Sequence, residues 1–176
     1  LLELSEVDSS LLRKQVNEIV EQLKRAKRPV VFAGMGVRIS GMHQKFLELL
    51  DVLKVPVVTG WNAHDVLTND SPYYAGRPGT VGDRAGNFTV QNADFLLVLG
   101  SRLNIRQVSY NWKSFAKNAF KVMVDLDRAE LEKPTLDINL KIYGSVENYL
   151  SFVNDLDLQF SSDDHEQYRK WCKERV

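Results

Sequence analysis

Apolar positions along the chain alternate between helical and strand periods, and that alternation predicts most of the fold. After Asp8-Ser9-Ser10, residues suited to capping, Leu11, Leu12, Val16, Ile19, Val20 and Leu23 form one stripe with charged residues opposite, the pattern of an amphipathic surface helix. A basic stretch, Lys24-Arg25-Ala26-Lys27-Arg28, ends it. The run Pro29-Val30-Val31-Phe32-Ala33 is too short for a helix, rich in β-branched residues and closed by Gly34, so it predicts a buried strand. Similar runs recur at Pro56–Thr59, Asp94–Leu99, Lys121–Val124 and Leu140–Tyr143, separated by segments long enough for helical crossovers. That order specifies an α/β domain with a doubly wound, three-layer parallel sheet of Rossmann-like type. Asn69-Asp70-Ser71-Pro72 through Gly86 is rich in Gly and Pro with little periodicity, and predicts a long functional or partner-bound loop. After Gly144 a helix carrying Val146, Tyr149, Leu150 and Val153 closes the domain near Leu158. Ser161-Ser162-Asp163-Asp164 then caps a short polar helix ending in Trp171 and Cys172, read as a connector rather than core. The predicted organisation is a linker and first helix over 1–27, the Rossmann-like domain over 28–158 and a C-terminal connector over 159–176.

Composition narrows the function classes. At 176 residues one domain can bury roughly 70% of its unfolded surface. Lys plus Arg and Asp plus Glu balance at 23 each, so no net field attracts nucleic acid or an anionic membrane. No apolar run approaches the ~20 residues that span a bilayer. Cys172 has no second thiol to pair with and the three histidines are scattered, which predicts neither a disulfide nor a metal cluster and suits a reducing cytoplasm. Leu1 is not an initiator Met, and the chain is expected to be a piece of a longer protein.

In an open parallel sheet, ligands collect beyond the carboxyl ends of the strands, so the candidate site residues are those that follow each strand. The first loop, Gly34-Met35-Gly36-Val37-Arg38-Ile39-Ser40-Gly41, opens like a dinucleotide fingerprint but has Ile39 at the third glycine position. Either phosphate binding or tight turns would explain it. The second strand ends in Thr59-Gly60-Trp61-Asn62, with no acid for a nicotinamide dinucleotide's ribose. The third ends in Gly100-Ser101-Arg102-Leu103-Asn104, followed by Arg106, two guanidinium groups suited to a diphosphate or carboxylate, or to an ion pair across a domain interface. The fourth ends in Asp125-Leu126-Asp127; one carboxylate could accept from a ribose, while Asp127 is well placed to cap a helix starting near Arg128. His43 and His64 lie outside any acid–nucleophile pattern and carry no catalytic role. Trp61, Tyr110, Trp112 and Phe115 sit near the loops, as stacking or as interface residues.

These segments together resemble the central domain of thiamine-diphosphate enzymes of the acetolactate synthase, pyruvate oxidase and benzoylformate decarboxylase superfamily. The resemblance runs through Arg28–Gly36, Val55–Thr59, Gly76-Arg77-Pro78-Gly79, Ala93–Leu103 and Val124–Leu131, in family order. It implies about six strands in a doubly wound sheet, between a pyrimidine-binding domain upstream and a diphosphate-binding domain downstream in a homo-oligomeric parent. Central domains of this kind hold FAD, ADP or nothing. By resemblance the cofactor contacts map to Gly34, Met35, Gly36, Thr59, Gly60, Gly79, Gly100, Ser101, Arg102, Arg106, Asp125 and Asp127. The chain departs from the acetolactate synthase pattern at Arg77-Pro78-Gly79, where those enzymes carry Met-His-Gly. It departs again at Gly100–Arg106, where they carry Gly-x-Arg-Phe-Asp-Asp-Arg. Catalytic and magnesium-binding residues belong to the other domains, and Gly82-Asp83-Arg84 is not a magnesium motif. The resemblance implies a parent that decarboxylates a 2-oxo acid and transfers the carbanion-like intermediate, with thiamine diphosphate and Mg bound elsewhere. The alternatives are a scaffold that binds no cofactor and an NAD-utilising enzyme on a related sheet.

Overall fold

A computed structural model describes residues 9–154 and 163–176. In chain order the elements are α1 (Ser9–Arg25), β1 (Pro29–Ala33), α2 (Gly36–Ile39), α3 (His43–Leu53), β2 (Val57–Thr59), α4 (Arg84–Asn92) and β3 (Phe95–Leu99). They continue as α5 (Ile105–Val108), β4 (Phe120–Asp125), α6 (Arg128–Glu132), β5 (Leu140–Tyr143), α7 (Val146–Asn154) and α8 (Asp163–Lys173). The strands form one parallel sheet in the order β2-β1-β3-β4-β5. Every residue of β1, β2 and β3 is buried because helices cover both faces, which is why these strands read as continuous apolar runs.

Period-2 alternation sorts the strand side chains into two cores. Val31, Val57, Leu97, Val124 and Ile142 face α1, α3 and α7. Val30, Phe32, Val58, Leu96 and Met123 face the opposite layer, which includes Val90 of α4 and Leu131 of α6. Each fully buried Leu or Phe contributes about 1.5–3 kcal/mol relative to exposure. On α1 the buried stripe is Leu12, Val16, Ile19 and Leu23; Leu11, expected on it, is 52% exposed. Entry into the sheet is fixed by Asp94, whose carboxylate accepts from the backbone N–H groups of Lys27 and Arg28, both at 2.9 Å.

Five strands stand among the described residues, against the expected six. The outer edge of β2 is occupied instead by Tyr73–Gly76. Val57 N donates to Tyr73 O at 2.7 Å, Ala75 N to Val57 O at 2.8 Å and Thr59 N to Gly76 O at 3.1 Å, with Tyr74 the one bridged residue. Pro72, which cannot donate, and Gly76 at φ +99° stop this pairing from lengthening into a strand. The long loop expected through Gly86 is therefore shorter, and α4 already begins at Arg84. Asp83 caps that helix through Oδ1, which accepts from Gly86 N at 2.6 Å, while Oδ2 accepts from Arg77 N at 2.8 Å. The carboxylate of Gly82-Asp83-Arg84 is thus a helix cap that also holds the loop.

The C-terminal helix differs from expectation as well. The sequence predicts a connector rather than core, yet α8 packs on the domain, with His165, Tyr168 and Cys172 buried. Tyr168 Oη donates to Thr89 O at 3.0 Å, and Arg169 Nη1 donates to Pro72 O at 2.8 Å. The polar face seen in the sequence is its outer face. Leu158, Ser161 and Ser162, where the domain end and the cap were expected, lie outside the described residues.

Candidate functional site

The carboxyl ends of β1, β3, β4 and β5 open into a cleft of about 490 Å³. Three glycines shape its floor. An added Cβ at Gly34 would overlap the Gly100 carbonyl, standing 2.6 Å from its carbon, and one at Gly36 would stand 2.6 Å from Gly100 Cα. Gly100 itself lies at φ +58°, the left-handed region that suits glycine. The loops after β1 and β3 therefore cross backbone on backbone, held by Gly34 N to Leu99 O at 2.9 Å and Gly36 N to Gly100 O at 3.0 Å. Val37 N and Arg38 N donate to Gly34 O and Met35 O. The amides that a phosphate would have met, on one of the two readings of this loop, are thus committed within the fold, and α2 has only four residues. The Gly-x-Gly spacing is accounted for by strand-loop packing.

Of the sequence-derived candidates, Gly34, Met35, Gly36, Gly100, Ser101 and Arg102 converge on this cleft, and Asp125 joins them. The remainder do not line it. Thr59 is fully buried at the end of β2, with its Oγ1 lacking a partner among the described residues. Gly60 backs onto Gln107. Gly79 lies in a separate pocket of about 160 Å³, its N–H donating to Asn87 Oδ1 at 3.0 Å. Arg106 is exposed, with its carbonyl accepting from Thr80 N at 2.8 Å. Asp127 caps α6, accepting from Ala129 N at 2.8 Å.

Charge in the cleft is mixed. Arg102, 67% exposed at its side chain, pairs with Glu130 Oε1 at 3.3 Å, and the same carboxylate holds Lys133 Nζ at 2.9 Å through Oε2. The ion pair foreseen for Arg102 is thus with an acid of its own domain, from α6. Two cations share one carboxylate there, while Asp125 and Glu147 add negative charge to the same lining. Asp125 is half-buried; desolvation pushes its carboxyl above the ordinary carboxylate range, opposed by the N–H of Asp127, which donates to Oδ1 at 2.9 Å. A carboxyl whose folded pKa is raised binds more protons folded than unfolded, so its ionisation lowers stability as pH rises through that window. Asp125→Asn, which keeps the acceptor oxygen, is expected to raise Tm at pH 7.5 and to lose that advantage below about pH 4, the ordinary Asp value. Parallel melts of the two proteins across this range check it.

Sequence reasoning missed Asn62, Asn104, Gln107, Ser145 and Glu147, all of which line the cleft. Asn104 and Gln107 were legible as a capping box, Asn-x-x-Gln, at the start of α5: Asn104 Oδ1 accepts from Arg106 N at 3.0 Å and Gln107 Oε1 from Asn104 N at 3.2 Å. Glu147 sits in the first turn of α7, where Ser145 Oγ accepts from Asn148 N at 2.9 Å. His43 binds the Val66 carbonyl through Nε2 at 2.8 Å, and His64 packs on Trp61. Phe115 is core, Trp112 is half-buried and Trp61 and Tyr110 are exposed; none of the four lines the cleft. Among the described residues no group of three His, Cys, Asp or Glu is placed to hold a metal, and no helix is long and apolar enough to cross a membrane.

The arrangement fits the nucleoside part of an adenine nucleotide in part. It offers a carboxyl, amide and hydroxyl groups beside one arginine. It offers no amide cradle for a diphosphate in the loop after β1.

The model of the family described as "Thiamine pyrophosphate enzyme, central domain" matches residues 16–153. Among curated relatives, the acetolactate synthase large subunit of Pyropia yezoensis is 32% identical over 148 residues, 84% of this chain and 25% of that protein. That of Lactococcus lactis is 34% identical over 120 residues, 68% of the chain and 21% of the relative. That of Cyanidium caldarium is 29% identical over 168 residues, 92% of the chain and 28% of the relative. The chain spans about a quarter of the length of the relatives it matches. With a parallel doubly wound sheet and a family match over most of its length, the chain belongs to the thiamine pyrophosphate enzyme central-domain family.

Proposed function

We propose that the chain is the middle domain of an acetolactate synthase-like enzyme that decarboxylates a 2-oxo acid and transfers the resulting carbanion equivalent. In this reading the domain is not itself catalytic. Thiamine diphosphate, bound with Mg by flanking pyrimidine-binding and diphosphate-binding domains, supplies the electron sink. The central domain spaces those domains, holds an adenine nucleotide (FAD or ADP) at its sheet edge and takes part in a homo-oligomer. The single Cys172, with no second thiol to pair with, supports a reducing cytoplasm as its compartment.

The observation that carries the nucleotide reading is the convergence of Arg102 and Asp125 on one cleft at the carboxyl edge. Thermal unfolding with FAD, ADP, NAD and thiamine diphosphate tests it. A ligand at about 100 times its Kd adds about 2.7 kcal/mol, so FAD or ADP alone is expected to raise Tm by several degrees. The committed amides after β1 and the Arg102–Glu130 pair favour a second reading, a scaffold that takes no cofactor. Absence of a shift with every ligand would select it. A shift with NAD would point to the third, an NAD-utilising enzyme, against which stands the lack of an acid at Thr59-Gly60.

A further inference from the structure

Glu130 of α6 divides its carboxylate between two cations that it holds unequally. Oε2 meets Lys133 Nζ at 2.9 Å, with the two side chains only 20% and 21% exposed. Oε1 meets Arg102 Nη1 at 3.3 Å, beyond the about 2.7–2.9 Å of a strong charge-assisted bond, and the Arg102 side chain is 67% exposed. The carboxylate thus has one close, sheltered partner and one loose, exposed one. Lys133 Nζ also donates to the carbonyls of Arg102 and Leu103, so the loop after β3 is anchored through its backbone and not through the Arg102 side chain. Arg102 lines the cleft, whereas Glu130 and Lys133 do not. The Glu130 charge is nonetheless felt there: desolvation first, and then that carboxylate, raise the Asp125 carboxyl against the N–H of Asp127.

An exposed ion pair shifts populations by a factor of about 1.5 to 5, and a phosphoryl group can take a guanidinium through two parallel bonds. Arg102 can therefore be drawn away without stranding Glu130, which keeps Lys133. We propose that Glu130 is a specificity-determining residue of the cleft, competing with the phosphoryl oxygens of a bound nucleotide for Arg102, while Lys133 neutralises it once the arginine has moved. This rests on the nucleotide reading of the cleft. It adds that phosphate is admitted against a penalty that Glu130 imposes and Lys133 moderates. Removing the carboxylate frees the arginine, and removing the lysine tightens the carboxylate's hold on it. An unphosphorylated nucleoside makes no claim on Arg102 and is indifferent to both changes.

The experiment is calorimetric titration of the full chain with ADP, FAD and adenosine, on the wild type, Glu130→Gln, Lys133→Met and Arg102→Met, and on each of the first two substitutions combined with Arg102→Met. Glu130→Gln keeps an oxygen toward Lys133, and the exposed Arg102 tolerates replacement. Glu130→Gln is expected to tighten ADP and FAD about fivefold and Lys133→Met to weaken them about threefold, with adenosine unchanged within about 1.5-fold. In the Arg102→Met background both substitutions are expected to leave every Kd within about 1.5-fold, because the carboxylate acts through the arginine. The Lys133→Met arm, opposite in sign, keeps the test open if the Gln variant unfolds. If Glu130→Gln changes nothing, or tightens ADP equally with and without Arg102, the carboxylate does not compete for the arginine; the proposal is overturned and the nucleotide reading stands. If neither ADP nor FAD binds the wild type, both fall together.

Discussion

Gly34→Ala is expected to lower the unfolding free energy by about 3 kcal/mol, at the upper end of what overpacking costs, with no ligand present. The new methyl group would enter the Gly100 carbonyl, which is backbone and cannot rotate away. Relief requires the loops after β1 and β3 to separate, and that strains the hydrogen bonds from Gly34 to Leu99 and from Gly36 to Gly100. Urea unfolding of the two proteins measures the difference directly. A loss below about 1 kcal/mol, an ordinary surface-like value, would mean that the loops part freely. The glycines would then have to be explained by close approach of a ligand.

Tyr168→Ala is expected to cost a comparable amount, about 3 kcal/mol, because it empties a site under α8 and breaks the bond to the Thr89 carbonyl. Burial and the neighbouring thiol hold the Tyr168 phenol far above its usual pKa, so it stays neutral and able to donate through the working range. Trp171→Ala, one turn away and 38% exposed, is expected to cost less than about 1 kcal/mol. Chemical denaturation of both variants separates the two interpretations of this helix. A connector lying off the domain would tolerate both changes equally, whereas a helix that completes the second core distinguishes them.

Much of the sheet was legible because both its faces are covered. Strands buried on two sides read as unbroken apolar runs, and β1 and β5 fall on the predicted residues, with the others displaced at most by a residue at an end. What escaped were features in which one residue type serves an unexpected partner. Tyr73–Gly76 pairs with β2 through backbone alone, so no periodicity announces it. The C-terminal helix has a sparse apolar stripe, Tyr168 and Cys172 with His165, and aromatic and thiol groups beside charges resemble a solvated helix until a surface is there to receive them. The site was legible as a place more than as a set of contacts. Reading beyond the strand ends found Arg102 and Asp125, but left the glycine pair open between phosphate binding and tight turns, where it serves the crossing of two loops. Gln107 was missed because its signal is a capping box in a helix of four residues, too short to register as a period.

The fork by which Asp94 grips Lys27 and Arg28 joins residues 67 and 66 apart in the chain, and β1 depends on that distant partner for one whole side of its ladder. A sheet whose interior strand waits on so remote a segment has high contact order and folds slowly. At 5–20 residues per second of synthesis, Val30, Val31 and Phe32 would spend roughly 3–13 s with one edge open before Asp94 is made. Over that interval β1 is a bare apolar edge, the kind of surface on which nascent chains associate. The Lys24–Arg28 segment just ahead of it places four positive charges beside that edge, a local repulsion between neighbouring chains until the carboxylate arrives.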